Sequence, residues 1–388
     1  MRGHIRKRGE RSWAVVVELD RDASGKRRQQ WHTVRGTKDD AETKLTALLS
    51  DLDRDLYVAP TRLTVGDYLD RWLEIKRPEL GGKTFERYNG IVKLHLIPAF
   101  GRMLLSKLRP LTLREYYSHA LQSGRLDGRK GGLSAQTVLH HHRVLHEALR
   151  EAVQQGELAR NVADAVKPPR PEDKEVEPLD EARYAWLLEM ATGTRLYLPV
   201  LLTICTGLRR GELLALTWDD VDLDAGWLWV RRALEETRQA VRFKAPKSKK
   251  GRRSVTLPAI AIEALREHQR HQQERKELLG EAYHDERLIC CLEDGSLWKP
   301  SAFTSSYFSL LARRKFPRVS FHNLRHSHAS QLLRAGISPK VISERLGHSK
   351  VGFTLHTYAH LLPGMQEEAA SRIDSVLRAA MEKRAYRA

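Results

Sequence analysis

A charged, proline-rich stretch near the middle of the chain separates two segments of different character. Residues 167–178 contain four prolines and a single apolar residue, Val176, so they cannot form a packed element. We interpret residues 168–178 as an extended linker. Apolar residues recur at helical spacing in residues 62–167, whereas strand and helix patterns alternate in residues 179–375. A 388-residue chain divided in this way is expected to build separate cores. The sequence predicts a multidomain α+β protein.

The first 60 residues predict a small sheet followed by a helix. Residues 13–19 are strand-like, and a second basic strand over residues 26–34 is expected to pair with them. A helix is expected after Thr37. Residues 2–35 hold ten Lys/Arg and four Asp/Glu, which suits insertion of the sheet into a DNA groove. A solvated edge sheet whose charges deter aggregation is the alternative. The candidate DNA contacts are Arg6, Lys7, Arg8, Lys26, Arg27 and Arg28.

Residues 62–167 predict an all-α domain. Thr64 is the expected N-cap of its first helix, and further helices are expected near residues 84–95, 111–122 and 134–155. Pro98 is one of the residues expected to separate these helices. The apolar face of the first helix is expected to contain Val65, Tyr68, Leu69, Trp72 and Leu73.

The last of these helices carries four histidines, His140, His141, His142 and His146. His142 and His146 share a helix face, but no nearby carboxylate or cysteine completes a set of metal ligands. Contact with DNA phosphates is the preferred interpretation.

The charge balance indicates a polyanionic partner. With 67 Lys+Arg against 49 Asp+Glu, the formal net charge is +18, which favours nucleic acid over an anionic membrane. There is no apolar run long enough for a membrane span. The three cysteines form neither a disulfide framework nor a CxxC pair, so we expect reduced thiols and a cytoplasmic protein.

The segment after the linker predicts a mixed, mainly helical domain with a small antiparallel sheet. Helices are expected over residues 180–191, 195–205, 211–216 and 258–278, strands between 227 and 257, and mainly helices after 301. Residues 231–256 contain ten Lys/Arg and two acids, which indicates a DNA-binding hairpin. Lys249, Lys250 and Arg252 are the candidate contacts there.

Five short motifs in this segment contain side chains that can bind or attack a phosphate. They are the turn around Arg209, Lys247 in the basic hairpin, His322 with Arg325 on one helix face, His348 after a helix-ending glycine, and Tyr358. Each has an ordinary structural alternative, such as a surface ion pair of Arg209 with Glu212 or a packed tyrosine.

Taken in this order, the five motifs resemble the active site of the tyrosine recombinases, the phage-integrase family. The T-G-L-R-x-x-E, H-N-L-R-H, L-G-H-S and T-x-x-x-Y-x-H strings also resemble family motifs, and the similarity covers nearly the whole chain. Within the family, the chain resembles the integrase type found in bacterial integrative elements and temperate phages. The resemblance implies an arm-type DNA-binding domain (1–60), a core-binding domain (62–167), the linker (168–178), a catalytic domain (179–375) and a C-terminal tail (376–388).

The resemblance also implies a mechanism that uses no metal and no other cofactor. Tyr358 would attack the DNA phosphodiester and form a 3′-phosphotyrosyl bond, and Lys247 would protonate the leaving 5′-oxygen. The remaining roles follow the family: Arg209 and Arg325 clamp the phosphate, His322 is a general base or proton relay, His348 donates a hydrogen bond, and Glu212 supports Arg209.

The implied partners are double-stranded DNA attachment sites and further copies of the chain, which form a tetramer on DNA. No membrane partner is expected, and the resemblance leaves open an excision factor and a host DNA-bending protein. The tail presents an apolar face of Ile373, Val376, Leu377, Ala380 and Met381, which docks either on a neighbouring protomer or on its own domain.

Three other functions compete with this interpretation. A type IB topoisomerase shares the arginine, lysine, histidine and tyrosine chemistry. A DNA-binding regulator that retains the fold has no need of Tyr358 together with His322 and His348. A metal-dependent nuclease requires carboxylates around its histidines, but residues 320–360 contain only Glu344.

Overall fold

The structure, a computed structural model, describes residues 3–19, 25, 28–53, 62–172, 178–246, 251–348, 350–352, 355 and 365–385. The chain forms two compact units, residues 1–173 and 174–388. Their boundary falls in the stretch interpreted as the linker. The finer domain limits given above stay predictions.

A three-stranded antiparallel sheet with one helix packed on it opens the first unit. The elements are β1 (Gly3–Gly9), β2 (Ser12–Leu19), β3 (Arg28–Arg35) and α1 (Lys38–Asp53), and the strand order is β1-β2-β3. Val15 and Val17 of β2 form a core with Ala41 and Leu48 of α1. The two predicted strands and the helix are confirmed, whereas β1 was not predicted.

Besides short π-helical and 3₁₀ turns, the described residues in the rest of this unit form five α-helices. They are α2 (Val65–Lys76), α3 (Gly82–Ile91), α4 (Ile97–Phe100), α5 (Pro110–Ser123) and α6 (Ala135–Gln154). Thr64 caps α2 as predicted, because its hydroxyl oxygen accepts a hydrogen bond of 3.1 Å from the Asp67 backbone N–H. The predicted apolar face of α2 is buried in the core of this unit.

The expected break at Pro98 is wrong. A π-helical turn over Val92–Leu96 joins α3 to α4, and Pro98 occupies the first turn of α4. A proline inside a regular α-helix clashes with the carbonyl of the fourth residue before it, and the π-helical turn directly before Pro98 changes that local geometry.

Two of the four histidines of α6 lie in the interior of this unit, so the expected contact with DNA phosphates is wrong for His141 and His142. Both are buried, and their Nδ1 atoms lie 2.8 Å from the hydroxyl oxygens of Tyr116 and Tyr117, respectively. His146 does have a carboxylate neighbour, since its Nε2 lies 2.7 Å from Asp164.

In its described residues, the second unit combines helices with two small antiparallel sheets, which confirms the predicted mixed fold. Its strands are β4 (Val221–Asp222), β5 (Trp227–Val230), β6 (Ala233–Glu236), β7 (Val241–Lys244) and β8 (Arg253–Thr256), arranged as a β4-β5-β8 sheet and a β6-β7 hairpin. Its helices are α7 (Glu181–Ala191), α8 (Tyr197–Thr206), α9 (Arg210–Leu213), α10 (Ala259–Leu279), α11 (Pro300–Arg313), α12 (Phe321–Arg334), α13 (Pro339–Leu346) and α14 (Met365–Ala385).

Three features of this unit bear on function. Helices α8 and α12 pack closely against each other within its core. Helix α9 is a single turn, shorter than the predicted helix over residues 211–216. Helix α14 continues past residue 376, where the tail was predicted to begin, and its Val376 and Leu377 side chains are exposed. No described helix has the length and apolar character of a membrane span.

Candidate active site

A left-handed turn at Gly207 leads from α8 to Arg209. The φ angle of Gly207 is +68°, and a Cβ atom there would lie 2.5 Å from Leu346 Cδ2 and 2.8 Å from His328 Cδ2. Only glycine fits this turn without a shift of its neighbours. The turn makes Arg209 the residue that precedes α9, with its side chain 40% exposed.

Glu212 holds Arg209 in place and is itself buried. Its Oε2 accepts a 3.0 Å hydrogen bond from the Arg209 backbone N–H, and its Oε1 lies 2.7 Å from Arg209 Nη1. Arg253 of β8 approaches the same carboxylate, with Nη2 2.8 Å from Oε2. Burial raises the pKa of Glu212, but the hydrogen bond and charge of Arg253 and the charge of Arg209 outweigh it and lower that pKa to about 2.

Arg325 connects three elements at the centre of the site. It lies on α12, is almost fully buried, and donates hydrogen bonds of 2.7 Å to the Gly207 carbonyl and 2.6 Å to the Leu346 carbonyl. The guanidinium therefore joins the end of α8 to the end of α13, and its orientation is fixed by both carbonyls.

His322 lies one turn before Arg325 in the first turn of α12. Ser320 caps this helix by accepting a 3.2 Å hydrogen bond from the Asn323 backbone N–H. The His322 ring lies 4.7 Å from the ring of His326, measured between centroids. Desolvation, and then the neighbouring His326 and Arg325, lower the pKa of His322 to about 4, so its imidazole is neutral at pH 7.

His348 follows the end of α13. Gly347 ends that helix with a φ angle of +66°, and the His348 backbone N–H donates a 2.9 Å hydrogen bond to the Ser343 carbonyl. The side chain is buried, and desolvation, with the charges of Arg325 and Arg209, lowers its pKa to about 4. The same two arginines lower the pKa of His322. The structure thus brings Arg209, Arg325, His322 and His348 together.

Two of the predicted catalytic residues, Lys247 and Tyr358, lie outside the described residues, as do Lys249 and Lys250. In the sequence, Lys247 falls between the end of β7 and the start of β8, and Tyr358 follows His348 by ten residues. Arg252 is described and exposed.

The basic segment 231–256 is less cationic on its surface than its composition suggested. Of its described cations, Arg231 and Arg232 pair with Asp220, and Arg242 and Lys244 pair with Glu235. Arg253 pairs with Glu212, as described above. These three carboxylates therefore offset only part of the charge that composition assigned to DNA binding.

The structure describes some of the predicted DNA contacts of the N-terminal sheet and not others. Arg6, Lys7 and Arg8 lie exposed on β1, and the guanidinium carbons of Arg6 and Arg8 lie 5.8 and 5.4 Å from the ring centroid of Trp31. Trp31 is itself 44% exposed. Lys26, Arg27 and the side chain of Arg28 lie outside the described residues.

Three residues that the sequence did not single out hold the site together. Arg345 of α13 donates hydrogen bonds to the Cys205 carbonyl (2.8 Å), the Thr256 carbonyl (3.1 Å) and His328 Nε2 (3.2 Å). Arg253 Nε donates a 2.6 Å hydrogen bond back to the Arg345 carbonyl. Arg253 was visible only as one cation of the basic segment, and no sequence pattern distinguished Arg345 or His328.

Comparison with known proteins identifies the family. The model of the phage integrase family matches residues 177–364, and the N-terminal SAM-like domain of phage integrases matches residues 64–121. The chain belongs to the phage integrase family of tyrosine recombinases. This integrase is 29% identical to a XerC-like tyrosine recombinase from Caldanaerobacter subterraneus subsp. tengcongensis, over 95% of this chain and 97% of the relative.

Solved structures show the same fold. An integrase of the transposon Tn1549, bound to a circular intermediate DNA, superposes with a TM-score of 0.67 at 18% identity, over 80% of this chain and 99% of the other. A lambda integrase tetramer bound to a Holliday junction gives a TM-score of 0.54 at 20% identity, over 90% and 96% of the two chains. Among the described residues, no group of three or more metal-ligating side chains converges.

Proposed function

We propose that this integrase cuts and rejoins duplex DNA at attachment sites through a 3′-phosphotyrosyl bond to Tyr358, and thereby integrates and excises a mobile element. The observation that carries the proposal is the convergence of Arg209, Arg325, His322 and His348. Two guanidiniums and two imidazoles in one site suit a phosphodiester whose charge increases during attack.

Different contacts orient Arg209 and Arg325 for binding the phosphate. Glu212 and the turn at Gly207 position Arg209, whose partly exposed side chain can reach DNA. The Arg325 guanidinium is held by two carbonyls, so it need not reorganise when a phosphate binds. Preorganised donors of this kind typically contribute a few kcal/mol each to a transition state.

The histidines supply proton transfer and hydrogen bonding in their neutral forms. An ordinary tyrosine has a pKa near 10, so Tyr358 needs a proton acceptor as its oxygen attacks phosphorus. Neutral His322 takes that proton directly or relays it. The bond between phosphorus and the 5′-oxygen breaks, and Lys247 protonates the leaving oxygen. His348 donates a hydrogen bond to a non-bridging oxygen.

The phosphotyrosyl bond also permits strand exchange between two duplexes. A free 5′-hydroxyl from another duplex attacks the phosphotyrosine, restores the DNA backbone and releases Tyr358. We propose that four protomers assemble around paired sites, by analogy with the lambda integrase tetramer on a Holliday junction. The exposed apolar residues Val376 and Leu377 of α14 support docking of this helix on a neighbouring protomer.

We assign the DNA contacts outside the active site to the two predicted binding domains. Arg6, Lys7 and Arg8 on the N-terminal sheet contact arm-type sites, and the helical residues 62–167 contact the core site. An excision factor and a host DNA-bending protein are the proposed accessory partners, and the bacterial cytoplasm, on nucleoid DNA, is the proposed location.

A recombination assay in the presence of EDTA tests this proposal. Duplexes selected from a random pool by binding to the full chain serve as paired substrates. Recombinant products without added metal are expected. Relaxation of supercoiled DNA without recombinant products would indicate a type IB topoisomerase, and binding with neither product would indicate a regulator.

A further inference from the structure

A basic cleft lies between the start of α8 and the end of α11. Its volume is about 530 Å³, and its lining includes Arg195, Ser306, Leu310, Arg313 and Arg314. No acidic residue is among the described residues that line it. Three guanidiniums around one opening create a positive potential that suits an anion.

The charge of the basic cleft is not neutralised, in contrast to that of the β6-β7 hairpin. The sequence contains no acidic residue between Asp294 and Glu344, a stretch that includes the whole of α11. Within the described part of the chain, none of the three arginines that line the cleft forms an ion pair with a carboxylate.

The arginines of the cleft are partly ordered before any ligand binds. The Arg195 guanidinium carbon lies 4.7 Å from the ring centroid of Trp298, and Arg195 Nη2 lies 3.4 Å from Ser306 Oγ. Arg313 donates a 3.4 Å hydrogen bond to the Ser309 carbonyl near the end of α11. Favourable interaction with the helix C-terminus explains a cation at Arg313, but not one at Arg195.

The basic cleft is separate from the active-site cluster. Arg195 precedes α8, whereas Arg209 follows its other end. The ten residues of α8 span about 15 Å at the rise of an α-helix. A neighbouring cavity that shares Arg195 is lined in part by Glu267 and Glu293, so an anion is expected at the Arg313 side of the cleft.

We propose that the basic cleft binds the phosphate backbone of duplex DNA outside the cleaved core, as a second DNA-contact surface of the catalytic unit. This inference rests on the proposed function. Three guanidiniums along one cleft suit a row of phosphates, and a duplex carries one charge per about 1.7 Å of its axis. That duplex either flanks the core or belongs to a second DNA molecule.

A salt-titration experiment with matched variants tests the proposal. The test variant combines Arg195→Gln, Arg313→Gln and Arg314→Gln in the full chain. The control combines Arg266→Gln, Arg270→Gln and Arg287→Gln, which removes the same charge from exposed arginines that pair with Asp224, Glu267 and Asp219. Binding is measured to a core-only duplex, to a core duplex with long flanks, and to the core-only duplex with a second labelled duplex added.

The test variant is expected to bind the flanked duplex, or capture the second duplex, with a salt slope smaller by about 3, since each lost phosphate contact removes about 0.9. A smaller salt slope for the flanked duplex means that the cleft contacts DNA beside the core, and a smaller slope for capture means that it contacts a second duplex. Binding to the core-only duplex and adduct formation on a nicked core should match the control. Equal slopes for test and control in every arm would overturn the proposal, and so would an equal loss on the core-only duplex. Absence of any adduct with the wild-type chain would instead overturn the proposed function.

Discussion

The guanidinium of Arg253 and the carboxylate of Glu212 form a buried ion pair beneath the active site, with Nη2 2.8 Å from Oε2 and both side chains only 5–6% exposed. Arg253 lies on β8 and Glu212 on α9. The pair therefore ties the sheet to the turn that carries Arg209, and it positions a residue that we assign to phosphate binding.

Arg253→Met should destabilise the second unit by roughly 3 kcal/mol, because breaking a buried pair leaves the Glu212 carboxylate without its main partner. Denaturant unfolding of the full chain measures this. Arg252→Met is the matched control, since Arg252 is the exposed neighbour of Arg253, and a change within about 0.5 kcal/mol is expected for it. Equal effects of both substitutions would show that the ion pair contributes nothing.

Glu212 should make the stability of the second unit depend on acidic pH. Its pKa in the folded chain is about 2, against an ordinary value of 4.5, so the unfolded chain binds the proton more readily. Its contribution is present above pH 4.5 and is lost as the pH falls towards 2. Urea unfolding from pH 6 to pH 3 should show the advantage of the wild type over Glu212→Gln shrinking. A constant difference over this range would contradict the low pKa.

His322 should stay neutral well below the ordinary pKa of histidine. NMR titration of the free chain, with the His322 resonance assigned by its loss in His322→Gln, should give a midpoint near 4 rather than 6.5. A midpoint at or above 6.5 would mean that the imidazole is partly protonated near neutral pH, which would weaken its proposed role as a proton acceptor.

The exposed apolar face of α14 should matter for strand exchange but not for DNA binding. Val376→Ser with Leu377→Ser is expected to lower recombination about 10-fold, which corresponds to a loss of about 1.4 kcal/mol at one interface. DNA binding should be unchanged. Asp374→Ser with Arg378→Ser, which removes an exposed ion pair of 2.7 Å on the same helix, is the control. Wild-type recombination by the apolar variant would rule out docking in trans through this face.

Much of the fold could be predicted because the spacing of apolar residues within a helix or strand involves only residues close together in the sequence. The apolar face of α2 and the cap at Thr64 follow from spacing alone, and the structure confirms them. Strand β1 has no such pattern, since His4 to Arg8 contain one apolar residue and the strand is stabilised by pairing with β2. The helix through Pro98 was missed for a related reason, because a π-helical turn cannot be recognised from composition.

At the active site, prediction from the sequence was limited mainly because interacting side chains lie far apart in the sequence. The motifs located Arg209, His322, Arg325 and His348, which the structure brings together. Composition assigned Arg253 to a DNA-binding surface, yet its partner Glu212 lies 41 residues away. His141 and His142 were misinterpreted in the same way, because Tyr116 and Tyr117 contact them across 25 residues of sequence.

Trapping the covalent intermediate tests the central claim most directly. The full chain is incubated in EDTA with a nicked duplex that carries a selected binding site, and Tyr358→Phe is compared with the wild type and with the control Tyr283→Phe. We predict an SDS-stable protein–DNA adduct with the wild type and the control, and no adduct with Tyr358→Phe. An adduct that persists in Tyr358→Phe would contradict the assignment of the nucleophile and, with it, the mechanism proposed for this integrase.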